Sequence, residues 1–241
     1  MRINIAGRVL AIHPVWLLVT LTAFAILIKL AHWQWQRAAE KTTQLQQLSV
    51  MQQQGPLRFA QVLQLPPAEA DGAIVQDTGR WLAPYIWLLD NRIVEGKVGY
   101  DVVIPVQFAS ENTLLLVNLG WVRAPQSRSE LPDIDIPEQI NIDGLLRSEV
   151  GGLRLGQNTD GSGWPLRIQQ IELAELQKAL PVTLYHAMVY QQHGSDFIPH
   201  YQAVVMPPEK HRGYAFQWFM LGLAVLAVAL AASYQAGKND E

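Results

Sequence analysis

Residues 15–28 read VWLLVTLTAFAILI, and residues 219–232 read FMLGLAVLAVALAA. Neither run carries a charge. A helix needs about 20 mostly apolar residues to cross a bilayer, and the flanking residues extend the two runs to 12–31 and 214–234. Two crossings return the chain to its starting side. Residues 1–11 and 235–241 are then tails in one compartment, and residues 32–213 lie in the other. The expected architecture is an α+β membrane protein, with two transmembrane helices flanking one antiparallel β-rich extracytoplasmic domain.

A cleaved signal peptide is the alternative for the first run. Arg2 and Arg8 would form its basic region, and Ala23 and Ala25 have the small-x-small spacing. Ile26, Leu27 and Ile28 follow that site, so it falls inside the apolar run rather than after it. Lys29 can extend its ammonium to the interface. Trp33 and Trp35 after the first run, and Tyr214 and Trp218 before the second, suit one headgroup region; Trp16 and Tyr234 suit the other.

Between the runs, the chain changes character twice. Residues 42–54 are glutamine-rich with Leu45, Leu48 and Met51 at threes, which predicts a polar helix leading into the domain and ended by Gly55-Pro56. From about Ala73 the pattern becomes strands: 85–93, 98–108, 113–122, 139–146, 182–191 and 201–205. Short turns at Glu95-Gly96 and at 110–112 suggest an antiparallel meander. Residues 123–137 read as a proline-containing loop, 151–163 as a loop with five glycines, and 172–180 as a short helix stopped by Pro181.

Composition closes several function classes. With 18 Lys+Arg against 21 Asp+Glu spread along the chain, there is no basic face for nucleic acid. Cysteine is absent, which removes disulfides, thiolate metal sites and covalent haem attachment. Copper delivery needs soft ligands, and Met51, Met188, Met206 and Met220 are scattered, so no copper is expected. No G-x-S-x-G elbow or phosphate-cradling glycine pattern occurs. Asp90 and Arg92 before a turn read as a structural ion pair or cap. A two-helix sensor needs an output domain, and the tail at 235–241 is too short to provide one. The chain is therefore expected to be no enzyme.

The stretch LAHWQWQRAAEK at 30–41 resembles the first signature of the surfeit locus protein 1 family, with Trp33, Gln34, Arg37 and Lys41 matching and Ala31 in place of a glycine. Three further blocks agree in order: Leu89-Asp-Asn-Arg92 running into Gly99-Tyr100 and Pro105; Leu116-Val-Asn-Leu-Gly-Trp-Val122 followed by Arg128 and Leu131-Pro132; and Trp164-Pro165 before His211, Tyr214, Gln217, Trp218 and Phe219. Leu119 stands where the family has arginine. The resemblance implies a non-enzymatic assembly factor for cytochrome c oxidase that assists haem a insertion into subunit I or stabilises that subunit. Implied partners are subunit I, haem a synthase or other assembly factors, and membrane lipids. The implied location is a bacterial inner membrane, with the main domain periplasmic and both tails cytoplasmic. Charge opposes this orientation when counted bluntly, because Lys29, Arg37, Lys41, Lys210 and Arg212 lie on the loop side against Arg2, Arg8 and Lys238 on the tails. Long loops translocate largely regardless of charge.

A haem iron takes an axial ligand, commonly an imidazole in an apolar setting. His211 is the expected ligand, and His32, outside the family motif, is the second candidate. Trp33, Trp35, Tyr214 and Trp218 would pack the ring, and Arg37 and Arg212 would pair with its propionates. His13 is expected at the headgroups, His186 in a strand, and His193 and His200 as solvated loop residues. Ala224, Ala227 and Ala231 form a small-residue stripe suited to close helix approach. The competing reading is a two-helix scaffold or ligand-binding module without haem contact.

Overall fold

The computed structural model describes residues 2–5, 8–11, 13–109, 111–148, 150–151, 158–160 and 163–239. Most of the expected glycine loop at 151–163 and the last two residues of the C-terminal tail lie outside the described residues. The chain forms two compact units, Met1–Gln46 with Val204–Glu241, and Gln47–Ala203.

The first unit holds a short antiparallel hairpin of β1 (Arg2–Ile5) and β2 (Arg8–Ala11), where the sequence suggested only a tail. Two long helices follow, α1 (Pro14–Gln53) and α4 (Pro208–Asn239). Proline opens both, a position where its fixed φ and missing N–H cost nothing. No glycine or proline interrupts α1, so the apolar run and the glutamine-rich stretch form one 40-residue helix. Gly55, at φ 82°, turns the chain out after it. Both helices are long and apolar enough to cross a membrane. Their apolar side chains, Trp16, Leu18, Val228 and Leu230 among them, are largely exposed.

The recessed positions of the two helices recur at steps of four and three. The set includes Thr20, Phe24, Leu27, Ala31, Gln34 and Ala38 on α1, flanked by Ala23, Ile28 and Leu30, and His211, Ala215, Trp218, Gly222, Val225 and Ala229 on α4, flanked by Leu226 and Ser233. That is the 3.5-residue period of a left-handed pair packed knobs into holes. The direction is antiparallel: His211 meets Gln34, and Gly222 meets Phe24 and Ile28. A Cβ at Gly222 would sit 3.3 Å from Cδ2 of Phe24, so glycine lets that ring pack closely on α4. Ala224, Ala227 and Ala231 are exposed, away from this seam. The small-residue stripe keeps the same three-four spacing but lies on another face of α4, so it does not mediate this packing.

The second unit is a mixed β-structure. Its strands are β3 (Ile74–Trp81), β4 (Trp87–Val94), β5 (Lys97–Gln107), β6 (Thr113–Arg123), β7 (Gln139–Arg147), β8 (Thr159–Asp160), β9 (Leu166–Ile168) and β10 (Thr183–Gln191), with short helices α2 (Phe59–Val62) and α3 (Leu173–Ala179). The order is β3-β7-β10-β6-β5-β4-β9-β8, and β3 also pairs with β5. Strands β3, β7, β10, β6 and β5 thereby close into a barrel, which removes their free edges. The meander β4-β5-β6 is antiparallel as expected, but β10–β6 and β4–β9 are parallel, so the sheet is mixed rather than antiparallel throughout.

Burial explains the continuous apolar run at 114–117. Leu115, Val117 and Leu119 point into the barrel with Val102, Ile104 and Val189, whereas Leu114 and Leu116 join Trp87, Val103 and Met188 in a second core on the outer face, under Ile171 and Leu176. A strand buried on both faces loses the polar alternation of a half-exposed one. Leu119, where the family pattern has arginine, is 4% exposed in the barrel core, a setting that suits leucine. The strand expected at 201–205 does not form; residues 197–203 instead run as a strap over the outer face, anchored where Ile198 pairs with Trp121.

Candidate functional site

Two polar sites stand out, one in each unit. In the first, His211 opens the seam of the helix pair at 8% exposure. Its Nδ1 lies 2.7 Å from Oε1 of Gln34. An amide oxygen only accepts, so Nδ1 carries the proton and donates it. Nε2 has no partner among the described residues. An imidazole held in this way presents an unprotonated Nε2, the usual form of a metal-ligating histidine.

The other expected ring-holding residues are distributed unevenly. Tyr214 and Trp218 lie on the same side of α4 as His211, at spacings of three and seven. Trp33 and Arg37 share a flank of α1, with the guanidinium 5.7 Å from the ring centroid. Trp35 is two residues on from Trp33 and faces the other flank, 62% exposed. His32 is exposed and two residues from Gln34, so the helix turns it away from His211; the structure does not bring the two histidines together. Arg37 is engaged with Glu40 at 2.7 Å, and Arg212 reaches Oγ1 of Thr42 at 3.4 Å. With Phe24 against Gly222, the helices leave no slot for a flat ring between them.

The second site lies on the outer face of the barrel. Asp101 on β5 is 3% exposed. Its Oδ1 is 2.5 Å from Nε2 of His200 on the strap, and its Oδ2 accepts from Nδ2 of Asn118 on β6 at 3.0 Å. Arg92 Nε lies 3.7 Å from the same carboxylate. Asn118 in turn accepts the backbone N–H of Gly120 at 2.9 Å. The buried charge is thus met by hydrogen bonds from the strap and β6 and by the nearby guanidinium of Arg92 on β4, whose Nε itself finds no hydrogen-bond partner. Next to it, Tyr201 of the strap stacks on Tyr190 of β10 at 3.6 Å between centroids and accepts from Arg147 at 3.0 Å. Burial, with the neighbouring Tyr201, pushes the Tyr190 phenol far above its ordinary value, and burial also raises Tyr201.

This cluster revises two sequence expectations. His200 is a half-buried partner of Asp101, not a solvated loop residue. Asp90 and Arg92 do not pair with each other: Asp90 caps the turn by accepting the Asn91 backbone N–H at 2.7 Å and pairs with Arg128 at 2.6 Å, and Arg92 faces Asp101. His186 is a surface residue of β10, and His193 is exposed beside Asp143. The second and third sequence blocks converge here, because Trp121 donates its indole N–H to the Arg92 carbonyl and packs over Gly99. Asp101 and Asn118 were missed as site residues. Their signal was present as two polar residues inside otherwise apolar strand runs.

A polar cavity of about 260 Å³ lies beside Asp90 and Arg128, lined also by Asn158, Thr159, Arg167 and Gln169. No group of three or more metal-ligating side chains occurs among the described residues. Comparison with known proteins gives a match to the family model described as SURF1 family over residues 21–223. That span takes in the seam site and the barrel cluster. A search of curated proteins gives no match.

Proposed function

The chain belongs to the SURF1 family, a family of cytochrome c oxidase assembly factors that are generally non-enzymatic, and from that premise we propose that it presents haem a to subunit I of the oxidase. The observation that carries the reading is the bond between His211 and Gln34, which joins the fourth sequence block to the first across the helix pair. It fixes one imidazole with Nε2 unprotonated, the donor that a haem iron takes. The donor set fits a single axial ligand and not two, since His32 faces away.

Haem a here is cargo, held and then released. His211 would hold the iron, and Tyr214 and Trp218 on the same side of α4 offer the apolar surface on which the ring would rest. Arg212, exposed beside His211, would meet a propionate. The helix pair is proposed to span the bacterial inner membrane, with the barrel on the periplasmic side and both tails cytoplasmic. Membrane-embedded subunit I and, upstream, haem a synthase are the partners this arrangement serves.

The closed seam favours a second reading, in which the helix pair steadies subunit I and touches no haem. The two separate in cells. In a strain lacking the protein, oxidase should accumulate with subunit I deficient in haem a. Complementation by the parent should restore the haem a content, and the His211→Ala variant, produced to the same level, should not. Full restoration by His211→Ala would remove the haem-presenting role and leave the scaffold.

A further inference from the structure

We propose that Gln34 is a positioning residue that selects the ligating tautomer of His211, and that its neutral amide keeps that ligand weak enough to release its cargo. The inference rests on the haem reading above and assigns a role to a residue that never touches the iron.

The geometry leaves His211 few other choices. Its ring is 8% exposed, and the neighbouring seam positions are Ala215 at 5% and Ala38 at 2%, whose side chains offer no hydrogen-bonding group. Gln34 Oε1, 2.7 Å away on the opposite helix, is the acceptor the ring has found. Among the described residues Nδ1 is the ring nitrogen with a protein acceptor beside it, and a largely buried N–H goes where its acceptor is. Nε2 is left without a proton, free for a metal.

The kind of acceptor matters as much as its place. A ligating histidine usually donates its second N–H to a carboxylate, a carbonyl or water, and a carboxylate makes it the more basic ligand. Glutamine supplies the orientation without the negative charge. A protein that must surrender haem to a client needs a ligand that is oriented but not strongly bound. The bond also spans α1 and α4, so loading and the packing of the helix pair are linked through one side chain.

The test uses the full chain in detergent, with 15N-labelled histidine and hemin as the probe. In the hemin-free parent, the two ring nitrogens of His211, assigned by loss of their signals in His211→Ala, should show the Nδ1–H tautomer alone. Gln34→Leu should mix the tautomers and weaken hemin binding by about 10–100-fold, the usual effect of losing such an outer partner. Gln34→Glu should keep the Nδ1–H tautomer, bind hemin more tightly than the parent and release it more slowly to apomyoglobin. A merely structural glutamine would not predict that opposite sign. An Nε2–H tautomer in the parent overturns the proposal. So does a Gln34→Glu variant that releases hemin as fast as the parent, even if Gln34→Leu fails to fold. Failure of the parent to bind hemin, with the Nδ1–H tautomer intact, instead sinks the haem reading and leaves the tautomer assignment standing.

Discussion

Replacing Asp101 by alanine should unfasten the strap from the barrel, and the structure sets the size of the effect. Three interactions end at that carboxylate: Asn118 at 3.0 Å, His200 at 2.5 Å and Arg92 at 3.7 Å. They do not weigh equally. Asn118 is 3% exposed, so its Nδ2 would be left buried and unpaired. Losing a charge-assisted bond and stranding its donor costs about 2–3 kcal/mol. The His200 side chain is 28% exposed and regains water, which limits its share to about 1 kcal/mol. Arg92, 38% exposed, adds at most about 1 kcal/mol after screening. The total is about 3–5 kcal/mol, a large part of the 5–15 kcal/mol typical of a domain. For a unit of this size that corresponds to about 6–20 °C in Tm. Asp101→Asn keeps an oxygen for Asn118 and an amide for His200, and should cost only about 1–2 kcal/mol. Thermal unfolding of the detergent-solubilised chain, followed by tryptophan fluorescence, measures both. Equal effects of alanine and asparagine, or an alanine effect near zero, would refute the argument that this carboxylate holds the strap.

Four further outcomes are expected. Stability should fall as pH rises above about 10, because Tyr190 and Tyr201 keep their protons in the folded chain at pH values where the unfolded chain has lost them; Tyr190→Phe should flatten that limb in alkaline denaturation curves. Gly99→Ala should destabilise the barrel severely, since its Cβ would lie 2.1 Å from the Val122 carbonyl oxygen and 2.4 Å from the Trp121 ring; loss of folded protein on expression, or a sharply lower Tm, is the readout. In this cysteine-free chain, Phe24→Cys with Gly222→Cys should form a disulfide on oxidation, whereas Phe24→Cys with Ala227→Cys should not, because Ala227 faces away from the seam. Ala224→Leu and Ala231→Leu should change stability by less than about 0.5 kcal/mol, as exposed positions do, and so leave Tm nearly unchanged in thermal unfolding.

What could be read from the chain follows the range of the forces involved. The two long helices and most strands are written in local periodicity, so their existence was legible, as was the polar helix beyond the first apolar run. Barrel closure was not, because it depends on β3 meeting β5 and on β10 lying parallel to β6, pairings between segments far apart in sequence. Tyr201, Val204 and Val205 have strand-forming side chains, yet no free edge receives them, and Pro207-Pro208 starts a helix at once. Context overrides propensity there. Composition alone cannot say which face of a transmembrane-length helix meets its partner. Three alanines looked like the contact, and a different face, with Gly222 against Phe24 and His211 against Gln34, makes it.

The site divides in the same way. His211 was legible through its motif, but its partner was not, since Gln34 acts across 177 residues of sequence. The barrel cluster was hidden for a related reason. Asp90 and Arg92 are two residues apart, which a regular strand would put on one face, but the register shift between Leu89 and Arg92, with Asn91 at φ 58°, sends one to Arg128 and the other to Asp101.

The most direct test of the account is the optical spectrum of the detergent-purified full chain, taken from cells that make haem a, beside that of His211→Ala. The account predicts a haem a band in the parent that is lost or shifted in the variant. Folded parent protein without a band, purified from cells with haem a available, would contradict it.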